Sequence, residues 1–226
     1  MTSFTARRSR APRPPRRRRA RLRGRRPCRP PARPLVAGNT PSNAPYEARF
    51  VERLVEWWEQ GAGTRLQLLF RPHPRDREWR ERFGAAAGRD GLVVQEASYT
   101  DLEDLATLLQ HAEVVVCNAG TILLDALVGD RPAVCVLYDE GAPPGESWAA
   151  KNVVGKHYEE LAASGAFYRA ERFDEVVAGI ERALERPAEL AAERRRAVGQ
   201  VVGVVDGHAA ERVVDAVAEA LADGPR

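Results

Sequence analysis

The chain has 226 residues, 44% of them hydrophobic, which suits one globular domain or slightly more. No stretch of the sequence approaches the ~18 consecutive apolar residues that a membrane-spanning helix needs. Its three cysteines show no CxxC or Cys/His spacing of the kind that binds zinc, and the basic N-terminus lacks the apolar segment of a signal peptide. We therefore expect a cytoplasmic protein, with a position at the inner face of the membrane as the alternative.

Charge is distributed unevenly along the chain. Residues 1–46 contain 14 arginines and no acidic residue, so the whole-chain charge of +3 leaves −11 on residues 47–226. Residues 1–34 are rich in arginine and proline and lack an apolar pattern, which predicts a disordered tail. Such a tail is typical of an arm for nucleic acid or an anionic membrane. We favour instead a GC-rich upstream stretch translated through a misplaced start or a frameshift, and expect no specific nucleic acid, because only Phe4 is available to stack on bases.

From Leu35 onward, short apolar strands alternate with helices. The first predicted strand is Leu35–Ala37, and the helix after it ends at Gly61. The apolar face of that helix consists of Phe50, Val51, Leu54, Val55 and Trp58. A strand from Arg65 to Phe70, a helix through about Ala87 and a strand at Leu92–Val94 follow in this order.

The second half of the chain continues the alternation. Thr100 and Glu103 form a capping-box pattern, and the helix after them is predicted to bury Leu102, Leu105, Ala106 and Leu109. Further strands are predicted at Val114–Val116, at Ala133–Leu137 and, in short form, at Ala166–Arg169, with later helices through Phe173–Leu184 and Val213–Leu221. Five or six strands alternating with helices predict an α/β domain over residues 35–226, built on a doubly wound parallel sheet.

The segment Asn118-Ala119-Gly120-Thr121 lies between the predicted fourth strand and a short helix. A glycine turn at a helix N-terminus offers backbone N–H groups, an amide and a hydroxyl to an anion such as a diphosphate. Asp125 follows one helical turn later on the same face, where its carboxylate can accept hydrogen bonds from a ribose. An ordinary βαβ crossover, in which Gly120 only makes the turn, is the alternative.

His73 is the strongest single candidate for chemistry. Pro72 and Pro74 restrict the backbone on both sides of it at a predicted strand end, and an imidazole there can donate to a phosphate oxygen or act as an acid. Arg71 is a candidate for neutralising phosphate, although an arginine at a strand end is more often solvated. In a doubly wound sheet, ligands bind beyond the carboxyl ends of the strands, which selects the loops at 38–42, 71–74, 96–100, 118–121 and 138–147. The sequence lacks the P-loop, GxGxxG and GxSxG motifs that would indicate other nucleotide or hydrolase sites.

In their order and spacing, several short motifs resemble the C-terminal nucleotide-binding domain of GT-B glycosyltransferases, and most closely the CDP-glycerol glycerophosphotransferase-like and surface-polysaccharide enzymes. These motifs are Arg71-Pro72-His73-Pro74, Tyr99-Thr100-Asp101-Leu102, the stretch from Leu108 to Val116, the stretch from Gly120 to Pro132 and the segment from Asp206 to Val214. The resemblance covers Leu35 to Leu221.

The resemblance implies a role for each loop. His73 and the turn from Asn118 to Thr121 would contact the phosphates of a nucleotide-activated donor, and Asp125 would hold its ribose. Ser98, Tyr99 and Asp101 would lie near the base. Neither a metal nor another cofactor is implied. The glycerophosphotransferases usually show Asp-Tyr-Ser-Ser where this chain has Asn118 to Thr121, and this departure favours a sugar over glycerol phosphate as the transferred group.

Our main hypothesis is the donor-binding half of a nucleotide-sugar glycosyltransferase for envelope or capsule polysaccharide, inactive alone because the acceptor domain is missing or belongs to a separate chain. The alternatives are a CDP-glycerol glycerophosphotransferase-like enzyme, a sugar-nucleotide epimerase-like domain and an inactive, truncated nucleotide-binding module. The partners expected are a nucleotide-activated sugar or CDP-glycerol, with peripheral association with a membrane as a further possibility.

Overall fold

The computed structural model describes residues 32–62, 67–89, 91–98, 100–146, 148–149, 155 and 158–222. Most of the predicted N-terminal tail, residues 1–31, lies outside the described residues, as does Tyr99. The six described strands are β1 (Pro34–Ala37), β2 (Leu68–Arg71), β3 (Leu92–Val94), β4 (Val114–Cys117), β5 (Ala133–Val136) and β6 (Tyr168–Ala170).

The helices of the described residues include the predicted ones, together with two, Glu159–Ala163 and Ala191–Val201, that the sequence did not predict. They are α1 (Glu47–Trp57), which continues into a π-helical turn at Trp58–Ala62, α2 (Trp79–Arg82), α3 (Gly84–Ala87), α4 (Leu102–His111), α5 (Thr121–Val128), α6 (Glu159–Ala163), α7 (Phe173–Glu185), α8 (Ala191–Val201) and α9 (Ala209–Ala222). None of them is both long and apolar enough to cross a membrane.

All six strands are parallel and lie in the order β3-β2-β1-β4-β5-β6. The chain therefore builds outward from β1 to β3, returns to the other side of β1 and builds outward again. This confirms the predicted doubly wound sheet and places its switch point between β1 and β4, where two loops leave the sheet in opposite directions.

The sheet buries both faces, as parallel sheets do. Side chains alternate along each strand, so Val36, Val114 and Val116 pack with α1, α3 and α7 on one face. On the other face Leu35, Val115 and Cys117 pack with helices that include α5 and α8. Cys117 and Cys135 are free and buried, which matches small apolar core residues.

Two features of the predicted helices are wrong in detail. The capping box does not form: α4 begins after Asp101, no side chain caps it, and Thr100 Oγ1 instead contacts Ser98 Oγ at 2.8 Å. Leu102 does not join the core but is 70% exposed, because α4 begins only at that residue. Ala106 is also exposed, and Leu108 packs against the core in its place.

The apolar stripe of α9 is present as predicted from its periodicity but is not covered by other described residues. Val213, Val214, Val217 and Leu221 are all more than half exposed. The segment before α9 is ordered locally, since Arg212 donates to both carboxylate oxygens of Asp206 at 2.9 Å.

Candidate functional site

A cleft of about 300 Å³ opens at the carboxyl ends of the strands, at the switch point of the sheet. Its volume lies at the lower end of the range usual for small-molecule sites. Seven of the ten residues predicted for the site line it, namely Arg71, His73, Ser98, Asn118, Gly120, Thr121 and Asp125. The wall is completed by Ala37, Gly38, Asn39, Pro72, Pro74, Leu102, Leu105 and Ile122.

The N-terminus of α5 opens onto this cleft through Gly120, Thr121 and Ile122. No side chain caps the helix, so its first turn presents backbone N–H groups and the positive end of the helix dipole. Gly120 has φ −174°, an extended conformation that any residue adopts, and a Cβ built there meets only the backbone oxygen of Asn118, at 4.0 Å. The backbone conformation therefore does not require glycine at position 120, and a side chain there would enter the cleft.

Asn118 and Ala119 support the turn in different ways. Asn118 is buried, and its side-chain amide donates to the carbonyl oxygen of Val136 at 3.1 Å, which ties the end of β4 to the end of β5. Ala119 does not line the cleft; its side chain packs in the core on the α5 side of the sheet. Any contact of Ala119 with a ligand would have to come from its backbone.

His73 lies on the cleft wall just beyond β2, where a backbone hydrogen bond selects the tautomer of its ring. The backbone N–H of Arg75 donates to Nδ1 at 3.1 Å, so the ring proton is placed on Nε2. Burial, followed by the positive charge of Arg75, lowers the pKa of His73, while Asp76 opposes this. At neutral pH the residue is therefore an uncharged imidazole that offers an N–H donor rather than a basic lone pair at Nε2.

Arg71 is the last residue of β2 and is only 7% exposed. Its guanidinium donates to the side-chain oxygen of Gln95, beyond β3. Burial lowers the pKa of Arg71, while the carboxylates of Asp101 and Asp104 act against that shift. The side chain thus brings a buried positive charge to the cleft wall instead of the solvated charge that the sequence suggested as the commoner case.

Asp125 and Ser98, predicted for the ribose and for the base side, both line the cleft. Asp125 is exposed, yet partial burial raises the pKa of its carboxyl. The apolar side chains of Leu102 and Leu105 line the cleft as well. Asp101 does not line it; the carboxylate accepts the backbone N–H of Ser98 at 3.2 Å and so shapes that loop.

The loop at 38–42, predicted to lie at this edge of the sheet, is held by two residues, Gly38 and Glu47, that were not predicted for the site. Gly38 is pressed against the turn after β2, since a Cβ built there would lie 3.3 Å from Pro72 Cα and 3.4 Å from His73 N. Glu47, at the start of α1, is buried, and its carboxylate accepts the backbone N–H of Asn39 at 2.9 and 3.1 Å. The Gly38-Asn39 dipeptide directly after a predicted strand is the sequence feature that could have indicated a tightly packed turn here.

Comparison with solved structures gives related folds. A putative UDP-N-acetylglucosamine 2-epimerase from Listeria monocytogenes matches with a TM-score of 0.52 and 14% identity, over 87% of this chain and 47% of that one. A spinosyn rhamnosyltransferase complexed with thymidine diphosphate matches with a TM-score of 0.51 and 15% identity, over 82% and 45%. The chain thus spans about half the length of these structures, and the likeness shows the fold they share.

Sequence comparison identifies the family. No curated protein matches the chain. The family described as CDP-glycerol:poly(glycerophosphate) glycerophosphotransferase matches residues 47–219, which is more than half of the sequence and includes every predicted site residue. The resemblance seen in the motifs from Arg71 to Pro132 is thereby confirmed, and the chain belongs to the CDP-glycerol:poly(glycerophosphate) glycerophosphotransferase family.

Proposed function

We propose that residues 35–226 form the donor-binding half of a transferase that uses a nucleotide-activated donor, with CDP-glycerol as the first candidate, to extend a cell-envelope polymer. The observation that carries the proposal is the cleft at the switch point, where an uncapped helix N-terminus, a neutral His73 and the buried Arg71 meet. The family match ranks CDP-glycerol above a nucleotide sugar.

The walls of the cleft suit the parts of such a donor. The N-terminus of α5 and the Nε2–H of His73 would hold the diphosphate, and the charge of Arg71 would favour it electrostatically. Asp125 would accept hydrogen bonds from the ribose hydroxyls. Leu102 and Leu105, beside Ser98, offer an apolar surface for the base.

In a glycerophosphate transfer, an acceptor hydroxyl attacks the phosphorus that carries glycerol, the bond from that phosphorus to the bridging oxygen breaks, and CMP leaves. Hydrogen-bond donors held in place beside the phosphates stabilise the negative charge that develops on the leaving group. His73 would act there as a hydrogen-bond donor and not as a base, because its ring proton lies on Nε2. We assign the base that takes the hydroxyl proton to an acceptor-binding half supplied by another domain or chain. The reaction would then take place at the cytoplasmic face of the membrane.

A nucleotide-sugar donor is the second candidate. The turn from Asn118 to Thr121 differs from the Asp-Tyr-Ser-Ser that glycerophosphotransferases usually show, and this turn would lie against the diphosphate. In a sugar transfer the bond between the sugar carbon and the diphosphate breaks, so the whole nucleoside diphosphate leaves. The hydrogen-bond donors of His73 and of the α5 N-terminus would then stabilise the negative charge of two leaving phosphates instead of one.

Isothermal titration calorimetry of the full chain tests the proposal. CDP-glycerol, CDP, UDP-glucose, GDP-mannose and glycerol 3-phosphate are titrated separately. We expect CDP-glycerol to bind more tightly than glycerol 3-phosphate and the other two conjugates. Tighter binding of a nucleotide sugar would favour the second candidate, and failure of every nucleotide to bind would contradict both.

Gly120→Val should weaken CDP-glycerol binding roughly tenfold or more, equivalent to about 1.4 kcal/mol, because the valine methyl groups would occupy the space of the phosphates. Stability should fall by no more than about 1 kcal/mol, since the extended backbone accepts valine and the only expected cost is a poorer helix N-cap. Calorimetry and urea unfolding measure the two effects.

Gly199→Val is the matched control, because a Cβ at Gly199 also meets open space but α8 does not line the cleft. This variant should bind CDP-glycerol as the unmodified chain does. A loss of binding at Gly120 that only parallels a loss of folding would assign Gly120 to the turn alone.

A further inference from the structure

A buried cluster of three ionisable residues lies behind the loops of the cleft; we define the Glu47 cluster as Glu47, Asp76 and Arg82. The carboxyl group of Glu47 accepts the backbone N–H of Asn39, as described above. Arg82, on α2, donates to the carbonyl oxygen of Ala44 at 3.0 Å and to Asp76 Oδ2. One guanidinium thus joins the loop after β1 to the loop after β2.

The same cluster is connected to His73. The backbone N–H of Asp76 donates to the carbonyl oxygen of His73 at 2.8 Å, which closes the turn that carries the imidazole. Gly38 packs directly on that turn and donates its N–H to the carbonyl oxygen of Arg71 at 2.8 Å. A shift of the Gly38-Asn39 backbone would therefore be transmitted to the turn of His73.

The charges of the cluster do not balance when both acids are ionised. Asp76 is 3% exposed and its Oδ1 has no hydrogen-bond partner among the described residues, so the one guanidinium already faces a buried carboxylate. Burial raises the pKa of Glu47 to about 8, although the Asn39 N–H and Arg82 act against the shift; Asp76 adds to it. Glu47 is thus mainly neutral at pH 7 and becomes a second buried anion above pH 8.

Cys117 and Tyr138, which lie near Glu47, stay uncharged around pH 8, where Glu47 titrates. Cys117, at the end of β4, has its pKa raised well above the usual value by burial. On the side toward β5, Glu47 shares a small cavity with Tyr138, whose pKa is also raised by burial, and with the acids Asp139 and Glu140. No cation is among the described residues that line this cavity, and Arg53 pairs with Glu140 at 2.8 Å from outside the lining, so Glu47 has no basic partner of its own on that side.

We propose that Glu47 is a positioning residue whose neutral acid form holds the Gly38-Asn39 turn in place for a nucleoside diphosphate, and whose ionised form weakens that binding. The inference rests on the proposed function, because the ligand is the donor assigned to the cleft. It adds a pH-dependent residue that contacts the loop and not the ligand.

The test is the pH dependence of CDP-glycerol affinity from pH 6.5 to 9.5, measured by calorimetry on the full chain and on Glu47→Gln. Both phosphates of CDP-glycerol stay fully ionised over this range, so the ligand does not titrate. Affinity of the unmodified chain should fall roughly tenfold between pH 8 and pH 9.5, as expected when only the protonated form binds. Glu47→Gln, which mimics the neutral acid, should bind with nearly constant affinity.

Glu56→Gln is the matched control, since Glu56 is an exposed acid on the same helix. It should retain the pH dependence of the unmodified chain. The same decline in Glu47→Gln, or constant affinity in the unmodified chain, would overturn the inference.

A second measurement does not need a ligand. The backbone amide resonance of Asn39 in a ¹⁵N NMR spectrum should shift with a midpoint near pH 8 in the unmodified chain and not in Glu47→Gln. If no nucleotide binds but this titration is seen, the proposed function fails while the state of Glu47 is upheld. Absence of the titration would overturn the inference whatever the chain binds.

Discussion

Replacing Arg82 with methionine is expected to lower the free energy of unfolding by about 3–5 kcal/mol, the range for breaking one side of a buried ion pair. Arg82 is the hydrogen-bond partner of Asp76 Oδ2, and the Asp76 side chain is 1% exposed. Methionine fills much of the same volume but leaves the carboxylate buried without a counter-ion, and the carbonyl oxygen of Ala44 loses its donor. Urea unfolding at pH 7 measures the change.

Arg89→Met is the matched control for this prediction. Arg89 pairs with Glu59, and both side chains are more than one third exposed, so the loss should stay within about 1 kcal/mol. Adding Asp76→Asn to Arg82→Met should recover part of the stability, because the uncompensated charge is removed. A loss at Arg82 no larger than that at Arg89 would show that Asp76 is not held as a buried anion.

The fold could be predicted from the sequence because its signals are local and repeat. Each strand is a short β-branched or apolar run, and all but the fifth are followed by a predicted helix, which leaves few topologies open. The predicted strands at Leu35–Ala37 and Leu92–Val94 are confirmed, and the strand expected at Ala166–Arg169 occurs at Tyr168–Ala170. The start of β2 was predicted too early: the strand begins at Leu68, while residues 63–66 lie outside the described ones.

The location of the cleft followed from the same topology. Because parallel strands end at one edge of the sheet, loops far apart in sequence, such as those of His73 and Gly120, had to meet there. Their roles toward a ligand stay predictions. What the sequence could not provide was the pairing of side chains, which depends on how loops pack.

Glu47 and Thr100 illustrate that limit. An acid in the first turn of a helix is usually solvated, and nothing in the pattern around Glu47 indicates that the loop from Gly38 to Ala44 covers it. Thr100 matches a capping box in sequence, but Ser98 is available as a competing partner two residues earlier. In both places a tertiary or loop contact decides the outcome over the local pattern.

His73→Ala should reduce affinity for CDP-glycerol by about 1–3 kcal/mol, the scale of a lost hydrogen bond to a charged group. Affinity for cytidine should change little, because His73 is assigned to the phosphates. The pKa of His73 is lowered by burial and by Arg75, so the ring is mainly neutral at pH 7 and above, and the size of the effect should not rise further as the pH increases from there. Calorimetry with both ligands on the full chain measures this difference.

His111→Ala provides the control for a general effect of removing an imidazole. His111 ends α4, its Nδ1 contacts the carbonyl oxygen of Thr107 in the same helix at 2.8 Å, and it is not among the residues that line the cleft. Its variant should bind both ligands as the unmodified chain does. Equal losses for CDP-glycerol and cytidine in His73→Ala would indicate that the turn had moved as a whole, as the link from His73 to Asp76 allows. An unchanged CDP-glycerol affinity would remove His73 from the phosphate site and leave the N-terminus of α5 as its main element.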